Sequence, residues 1–274
     1  DIQGFPKNKL LMNNSNPGEI NISLGGVGRN IAENICKLGV NTKLISALGN
    51  DTYGNLILSK CKEYGIDMDN CFISNNLPTS IYLAILNEEK DMQLAISHMD
   101  IIENIDIDYI LVKDNLLKNS TVIVVDTNCT EEVLNYITTN YNHLPIFVDA
   151  ISVAKCKNIK NILGRFHTVK VNKYEAQTLS GLSINSEDDL IKCSNYFLDK
   201  GTKNIFITLG KDGVFCANSN EKYRLKSPEI KVLNATGAGD SFTASLVYCY
   251  INKFNLIESA KFSMAASILT ILHK

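Results

Sequence analysis

The sequence predicts an α/β fold: a mostly parallel central sheet with helices on both faces, carrying a small β-sheet lid. Three observations predict it. Between residues 121 and 208, β-rich runs alternate with helical periods, the pattern of a parallel sheet covered by helices. Outside that alternation, two β-rich runs meet across a charged turn at 87–91 and read as a hairpin. Glycine-rich turns stand where a strand gives way to a helix, at 25–28 and again at 237–239.

Each element follows from local pattern. Residues 10–24 mix Asn, Ser, Pro and Gly with alternating Ile20, Ile22 and Leu24, which predicts turns and short strands. Ile31, Ile35 and Leu38 recur at helical spacing over 30–38, and Gly39 stops that helix. A strand over 42–48 comes next, then a helix capped by Asp51 and running to about Tyr64. The hairpin takes 79–87 and 92–97, closed by His98 and Met99. Strands at 121–125, 146–149, 168–171 and 204–208 alternate with helices near 130–141, 173–180 and 187–199. A second hairpin pairs 213–217 with 222–226, and two long apolar helices follow Gly239 and Asn255. With no linker-like break and no repeat, the chain reads as one domain over 1–274, with lid segments at about 5–24 and 79–97.

Composition narrows the function classes. The 274 residues are 45% hydrophobic and 20% charged, enough for one sizeable core. A net charge of −2, with basic residues scattered at positions such as Lys7, Lys9, Lys157 and Lys160, argues against a nucleic-acid surface. No apolar run reaches the ~18 residues that span a bilayer, and no secretory leader is visible, so no membrane partner is expected. Eight cysteines, at 36, 61, 71, 129, 156, 193, 216 and 249, form no C-x-x-C pair and mostly sit in apolar runs. The expectation is reduced thiols in a cytoplasmic protein, with neither a zinc site nor a disulfide framework.

Four motifs can carry chemistry. Thr236-Gly237-Ala238-Gly239-Asp240 opens a helix, where unpaired N–H groups and the positive end of the helix dipole suit a phosphoryl group. Asp240, in the first turn, is placed to take a proton from an attacking hydroxyl; a tight loop with a merely dipole-favoured Asp fits the residues equally well. Gly25-Gly26-Val27-Gly28-Arg29-Asn30 fails as a dinucleotide fingerprint and as a Walker A loop. It suits close approach of a ligand, with Asn30 offering a donor and an acceptor, or simply a helix packed tightly on a strand. Lys170, Asn172 and Glu175 end a strand and enter a helix; Asn172 and Glu175 share a face and can hold water around Mg²⁺, or form a capping box. Thr208-Leu209-Gly210-Lys211-Asp212-Gly213 can accept nucleotide phosphates or make a plain turn.

In their order along the chain, Gly-Gly-x-x-x-Asn, Asn-x-x-Glu, Thr-x-Gly-x-x-Gly and Thr-Gly-Ala-Gly-Asp resemble the ribokinase-like, PfkB-type carbohydrate kinases. The resemblance spans essentially the whole chain and implies a ribokinase-like α/β/α sandwich whose β lid covers a sugar. It implies Asp240 as catalytic base, with Gly237, Ala238 and Gly239 as anion hole. Asn172 and Glu175 would act in the Mg²⁺ and phosphate region beside Lys170. Thr208, Gly210 and Gly213 would line the ATP site, with Ala266 and Ser267 near the adenine. Gly26, Asn30 and Asp1 would bind sugar hydroxyls. It also implies a strand before Asp1 and residues beyond Lys274, and it allows a homodimer through the lid. The family usually carries Asp where this chain has Asn234, which leaves dependence on a monovalent cation open.

A finer match lies in Ser15–Gly18, Pro78-Thr79-Ser80 with Tyr82, Asp126-Thr127-Asn128, Val148-Asp149 and Lys155-Cys156, together with Gly25–Asn30. These resemble the branch of the family that phosphorylates the 5′-hydroxyl of a C-nucleoside. Ser15, Asn16, Thr79 and Ser80 would then pair with the edge of the base, and Asn128 would face the same pocket. Three other readings stay open: a different sugar or nucleoside acceptor, a non-catalytic nucleoside binder, and a Rossmann-type oxidoreductase suggested only by the turn at 25–30.

Overall fold

The computed structural model describes residues 1–89, 91–230 and 236–272. In chain order its strands and helices are β1 (Ile2–Pro6), β2 (Gly18–Ile22), α1 (Val27–Lys37), β3 (Ala47–Gly49), α2 (Thr52–Glu63), β4 (Phe72–Ser74), β5 (Ile81–Leu86) and β6 (Met92–His98). There follow α3 (Ile107–Val112), α4 (Asp114–Lys118), β7 (Ile123–Asp126), α5 (Glu131–Asn140), β8 (Ile146–Asp149), β9 (Thr168–Asn172), α6 (Lys173–Ser180) and α7 (Glu187–Lys200). The chain ends through β10 (Asn204–Thr208), β11 (Val214–Ala217), β12 (Lys222–Leu225), α8 (Ala238–Ile251) and α9 (Leu256–Leu272).

Among the described residues, one sheet has the order β12-β11-β10-β9-β8-β7; β7 to β10 are parallel and β11 and β12 form an antiparallel edge. Period-two alternation divides its side chains between two cores. Val125, Val148, Val169, Val171, Ile205 and Ile207 join one core, together with residues of α5, α6 and α7. Phe147, Phe206, Val214 and Cys216 join the other, together with residues of α1, α8 and α9. Asp126 and Asp149 share the parity of Val124 and Phe147, so they fall on the α1 and α8 side. Lys170 pairs in register with Asp149, which brings it into the same row. Ligands of open α/β sheets bind beyond the carboxyl ends of the strands, and here those ends carry Asp126, Asp149, Asn172 and Thr208.

A four-stranded sheet, β2-β1-β5-β6, forms the lid. Its register puts Ile22, Ile2, Leu83 and Ile96 in one cross-strand row and Ile20, Gly4, Ile85 and Leu94 in the next. The resulting aliphatic face stays open: Ile20 is 71% exposed, Ile22 57%, Leu94 54% and Ile96 56%.

The predicted strand over 42–48 is corrected to the short β3, which pairs in parallel with β4 apart from the main sheet. Residues 42–46 instead run irregularly, tied to 67 and 72 by backbone bonds, with only an isolated bridge at Lys43. The sequence reading gives no element to β1, β4, α3 or α4; each is six residues or fewer, too short for periodicity to register. The predicted caps hold: the Asp51 side chain accepts the Gly54 N–H, and Gly39 takes a positive φ just past α1. Between β7 and β3 runs a cavity of about 870 Å³, with an aliphatic interior that includes Ile45, Ala47, Val122, Val124 and Ile251. Its other end meets the lid at Thr79, Ser80 and Tyr82. All eight cysteines are free. Among the described residues no helix is long and apolar enough to cross a membrane. Asn234, and with it the monovalent-cation question, lies outside the described residues.

Candidate active site

The carboxyl ends of β7, β8 and β9 and the starts of α1, α6 and α8 meet at one place. Gly237, in the left-handed region, caps α8 and directs its first turn, with Asp240, toward the carboxyl ends of β8 and β9. The α8 helix is held from behind by α9, where the Ser267 hydroxyl donates to the Ala238 carbonyl at 2.7 Å. Ser267 thus braces the glycine turn.

Asp240 is held by α1. The Asn30 side-chain amide donates to Asp240 Oδ2 at 2.6 Å. Arg29 fixes which way that amide points: its guanidinium donates to Asn30 Oδ1, leaving the NH₂ for Asp240. The same guanidinium donates to the carbonyls of Gly25 (2.7 Å) and Leu24 (3.1 Å) and pairs with Glu33 at 2.6 Å. Arg29 therefore clamps the glycine turn onto the helix it opens. A Cβ at Gly25 would lie 2.4 Å from the Asp1 carboxylate, so a side chain there would have to displace Asp1. Asp1 thus lies against the glycine turn, and it lines the same cavity as Gly25 and Gly26.

Behind Asp240 lies a buried charged cluster. Lys170, 7% exposed, bonds Asp149 at 3.1 Å; Asp149, 2% exposed, also accepts the Thr243 hydroxyl at 2.7 Å. Lys170 Nζ reaches the α8 turn so closely that a Cβ on Gly239 would sit 2.7 Å from it. Burial works against the Lys170 charge, but Asp149 and Glu175 outweigh it and hold the ammonium above its ordinary range. Burial pushes the Asp240 carboxyl up to about 6, against the Asn30 bond, with Asp149 raising it further and Lys170 opposing. A carboxylate with that proton affinity is suited to act as a base near neutral pH. The cluster thus offers a base, a fixed positive charge and a helix N-terminus, the parts that phosphoryl transfer requires.

Asn172 and Glu175 form the capping box that the sequence allowed. Asn172 Oδ1 accepts the N–H groups of Tyr174 and Glu175, while Glu175 Oε2 accepts the Asn172 N–H and Oε1 the Asn172 side chain. Mg²⁺ takes hard oxygen donors and keeps most of its water. Glu175 and Asp149 supply carboxylates near Lys170, and among the described residues no cluster of three metal-binding side chains forms. The donor set fits an ion held through water and substrate phosphates. Thr208 spends its hydroxyl on the Val171 carbonyl at 3.3 Å; Gly210 and Gly213 bound the turn between β10 and β11.

Several expected base contacts are not brought together. Ser15 is exposed, and Asn16 uses its amide within its own loop, accepting the Leu11 N–H and donating to the carbonyls of Leu11 and Asn14. Neither lines the cavity. The Thr79 hydroxyl is buried between Asp51 (2.9 Å) and the Gly49 N–H (3.0 Å), so it anchors the base of the lid. Asn128 does line the cavity, its N–H bonded to Asp126 Oδ1 at 2.8 Å. The sequence reading assigns no role to Arg29, Asp126, Asp149 or Thr243. Polar residues at the ends of otherwise aliphatic parallel strands were the available signal for Asp126 and Asp149.

Comparison with known proteins agrees with this geometry. The model of the pfkB family of carbohydrate kinases matches residues 4–274, so the chain belongs to that family. Among curated relatives, pseudouridine kinase of Escherichia coli K12 is 35% identical over 272 residues, covering 99% of this chain and 87% of its own. A Clostridium perfringens protein classed provisionally as a sugar kinase is 40% identical, with a TM-score of 0.88 over all of this chain and 86% of that one. Arabidopsis thaliana ribokinase, solved with ribose and ATP, shares the fold at 20% identity and a TM-score of 0.86, over all of this chain and 89% of its own. The ribokinase-like fold is thereby established.

Proposed function

We propose that the protein transfers the γ-phosphoryl group of ATP to the 5′-hydroxyl of a nucleoside, with pseudouridine as the acceptor. The observation that carries the phosphoryl-transfer reading is Asp240 in the first turn of α8, held at 2.6 Å by Asn30 and backed by the Lys170–Asp149 pair. The acceptor is supported by the 35% identity to pseudouridine kinase along nearly the whole chain.

In this reading Asp240 accepts the 5′-hydroxyl proton as that oxygen attacks the γ-phosphorus, the bond to the β–γ bridging oxygen breaks and ADP leaves. The N–H groups of residues 237–239 and the Lys170 ammonium stabilise the charge that spreads over the phosphoryl oxygens. Mg²⁺, when bound near Glu175, neutralises phosphate charge. Asp1, Gly26 and Asn30 hold the ribose hydroxyls, so most of the rate comes from positioning. The lid excludes water, which would otherwise compete as acceptor. ADP release with Mg-ATP and a panel of pseudouridine, uridine, ribose and adenosine tests this. Turnover highest with pseudouridine supports it; turnover highest with another acceptor keeps the kinase and replaces the substrate.

One structural proposal accompanies the activity. The two aliphatic rows of the lid face carry no charge, so a second copy related by a two-fold axis would meet like with like. We assign this face to a homodimer contact, which sedimentation of an Ile96→Lys variant would abolish.

A further inference from the structure

At the opposite end of the main sheet, where β8, β9 and β10 begin, another cavity of about 660 Å³ opens to solvent between the last turns of α5 and α8. Pro145 enters β8 there, His167 enters β9 and Lys203 enters β10. At a rise of about 3.3 Å per residue, β9 carries Lys170 and Asn172 roughly 10 to 16 Å from His167. The cavity is therefore separate from the cluster around Asp240 and shares no residue with it. The chain holds 29 acidic side chains against 27 Lys and Arg. Among the described residues, however, this wall carries His143, Arg165, His167 and Lys203 and no acid at all.

Basic groups gather at helix C-termini for an ordinary reason, the partial negative charge of the last carbonyls. Here those carbonyls are taken by the helix itself. In α5 the carbonyls of Asn135, Tyr136 and Ile137 accept from the Thr139 hydroxyl, the Asn140 amide and the Tyr141 N–H. Arg165 instead bonds two side chains of α5 through Nη1, Asn135 Oδ1 at 2.7 Å and Thr139 Oγ1 at 2.8 Å. Its guanidinium is held by one corner, and among the described residues nothing takes the Nε and Nη2 donors. The His167 ring is fixed as well: it stacks on Phe147 at 5.3 Å, meets Tyr250 at 4.7 Å and engages Thr168 Oγ1 through Nδ1 at 2.9 Å. Nε2 is left for another partner. The Lys203 ammonium has no hydrogen-bond or ion-pair partner among the described residues, and its charge opposes protonation of His167.

We propose that this cavity is a second binding site, for a phosphate-bearing small molecule whose phosphate lies between Arg165 and Lys203 and whose remainder rests on His167 and Tyr250. A planar guanidinium with a free edge matches a pair of phosphate oxygens, and a lysine beside it adds a point charge. The volume is that of a small-molecule site, and the rings of His167 and Tyr250 with Pro145 give it an apolar wall. The site stands whether or not the kinase reading does, because none of its groups belongs to the proposed reaction.

The test follows the ring signals of the four histidines by NMR while inorganic phosphate, pyrophosphate or uridine 5′-phosphate is added, with sodium chloride at matched ionic strength as control. A His167→Gln variant assigns the signal. Burial first, and then Lys203, hold the His167 imidazole below its ordinary range; the charged or titratable groups around it in the cavity are His143, Arg165, Lys203 and Tyr250. A bound phosphate offsets Lys203, so the His167 signal moves saturably toward that of the imidazolium and its titration midpoint rises. Arg165→Gln and Lys203→Gln each weaken the response about 10- to 100-fold, the scale of one hydrogen bond to a charged group. Lys203 is exposed and unbonded, so its variant keeps the result readable if loss of the Arg165 bonds disturbs α5. Tighter titration by uridine 5′-phosphate than by phosphate names a nucleotide as the source, and the reverse names the free ion; either supports the site. A shift no larger than that with chloride, or one that survives both substitutions, overturns it.

Discussion

The two ends of the cleft are built differently. At the end proposed to meet phosphate, Asp149 and Lys170 are almost wholly buried, paired with each other and tied to Thr243 and the α8 turn. At the end proposed to meet the acceptor, Asp126, Asn128 and Lys155 are part-buried, and one wall is the lid. The difference follows from what each end meets. In the proposed reaction every cycle presents the same developing charge to the first end, so its groups can be fixed in advance, where low dielectric makes them strong. In the same reading the second end opens to admit a substrate and closes to exclude water, which fits its lesser burial.

Breaking the buried pair tests that contrast most severely. Asp149→Ala leaves the Lys170 ammonium buried without its partner and is expected to cost about 3–5 kcal/mol in chemical denaturation. Adding Lys170→Met should return much of that stability but none of the turnover, which separates folding from function. If the single variant were as stable as wild type, the cluster would not be the buried network described.

Asp240→Asn comes next in size. Turnover should drop at least ~100-fold, the scale for loss of a general base, with the acceptor KM changed far less. Near-normal turnover would remove Asp240 from the mechanism. Its proton affinity gives a pH signature. With the carboxyl raised to about 6 by burial, kcat/KM should fall as pH drops through about 6, because the protonated form cannot accept the hydroxyl proton. Lys170 opposes that rise, so Lys170→Met should move the acidic limb upward in whatever activity remains.

The smallest expected effect belongs to Arg29. Arg29→Gln frees the Asn30 amide to turn, so Asp240 loses a reliable donor and its acidic limb should also move upward. A purely structural role would lower activity at all pH values and leave the limb where it was.

The sequence by itself determined the alternation of strands and helices, the hairpin, the caps and the glycine turns, because each rests on contacts within a few residues. It also marked Asp240, Asn30 and the capping box of Asn172 and Glu175, since turn chemistry and first-turn acids are written locally. Asn16 and Thr79 read as base contacts but are spent within the loop and at Asp51, and local pattern gives no way to tell a free amide or hydroxyl from an occupied one. Only the tertiary structure decided that Asp149, Lys170 and Thr243 form one cluster and that Lys155 meets Asn128 and Met99. Those partners lie tens of residues apart. Their meeting is set by strand register and by which face of the sheet α8 covers, and both are properties of the packed sheet.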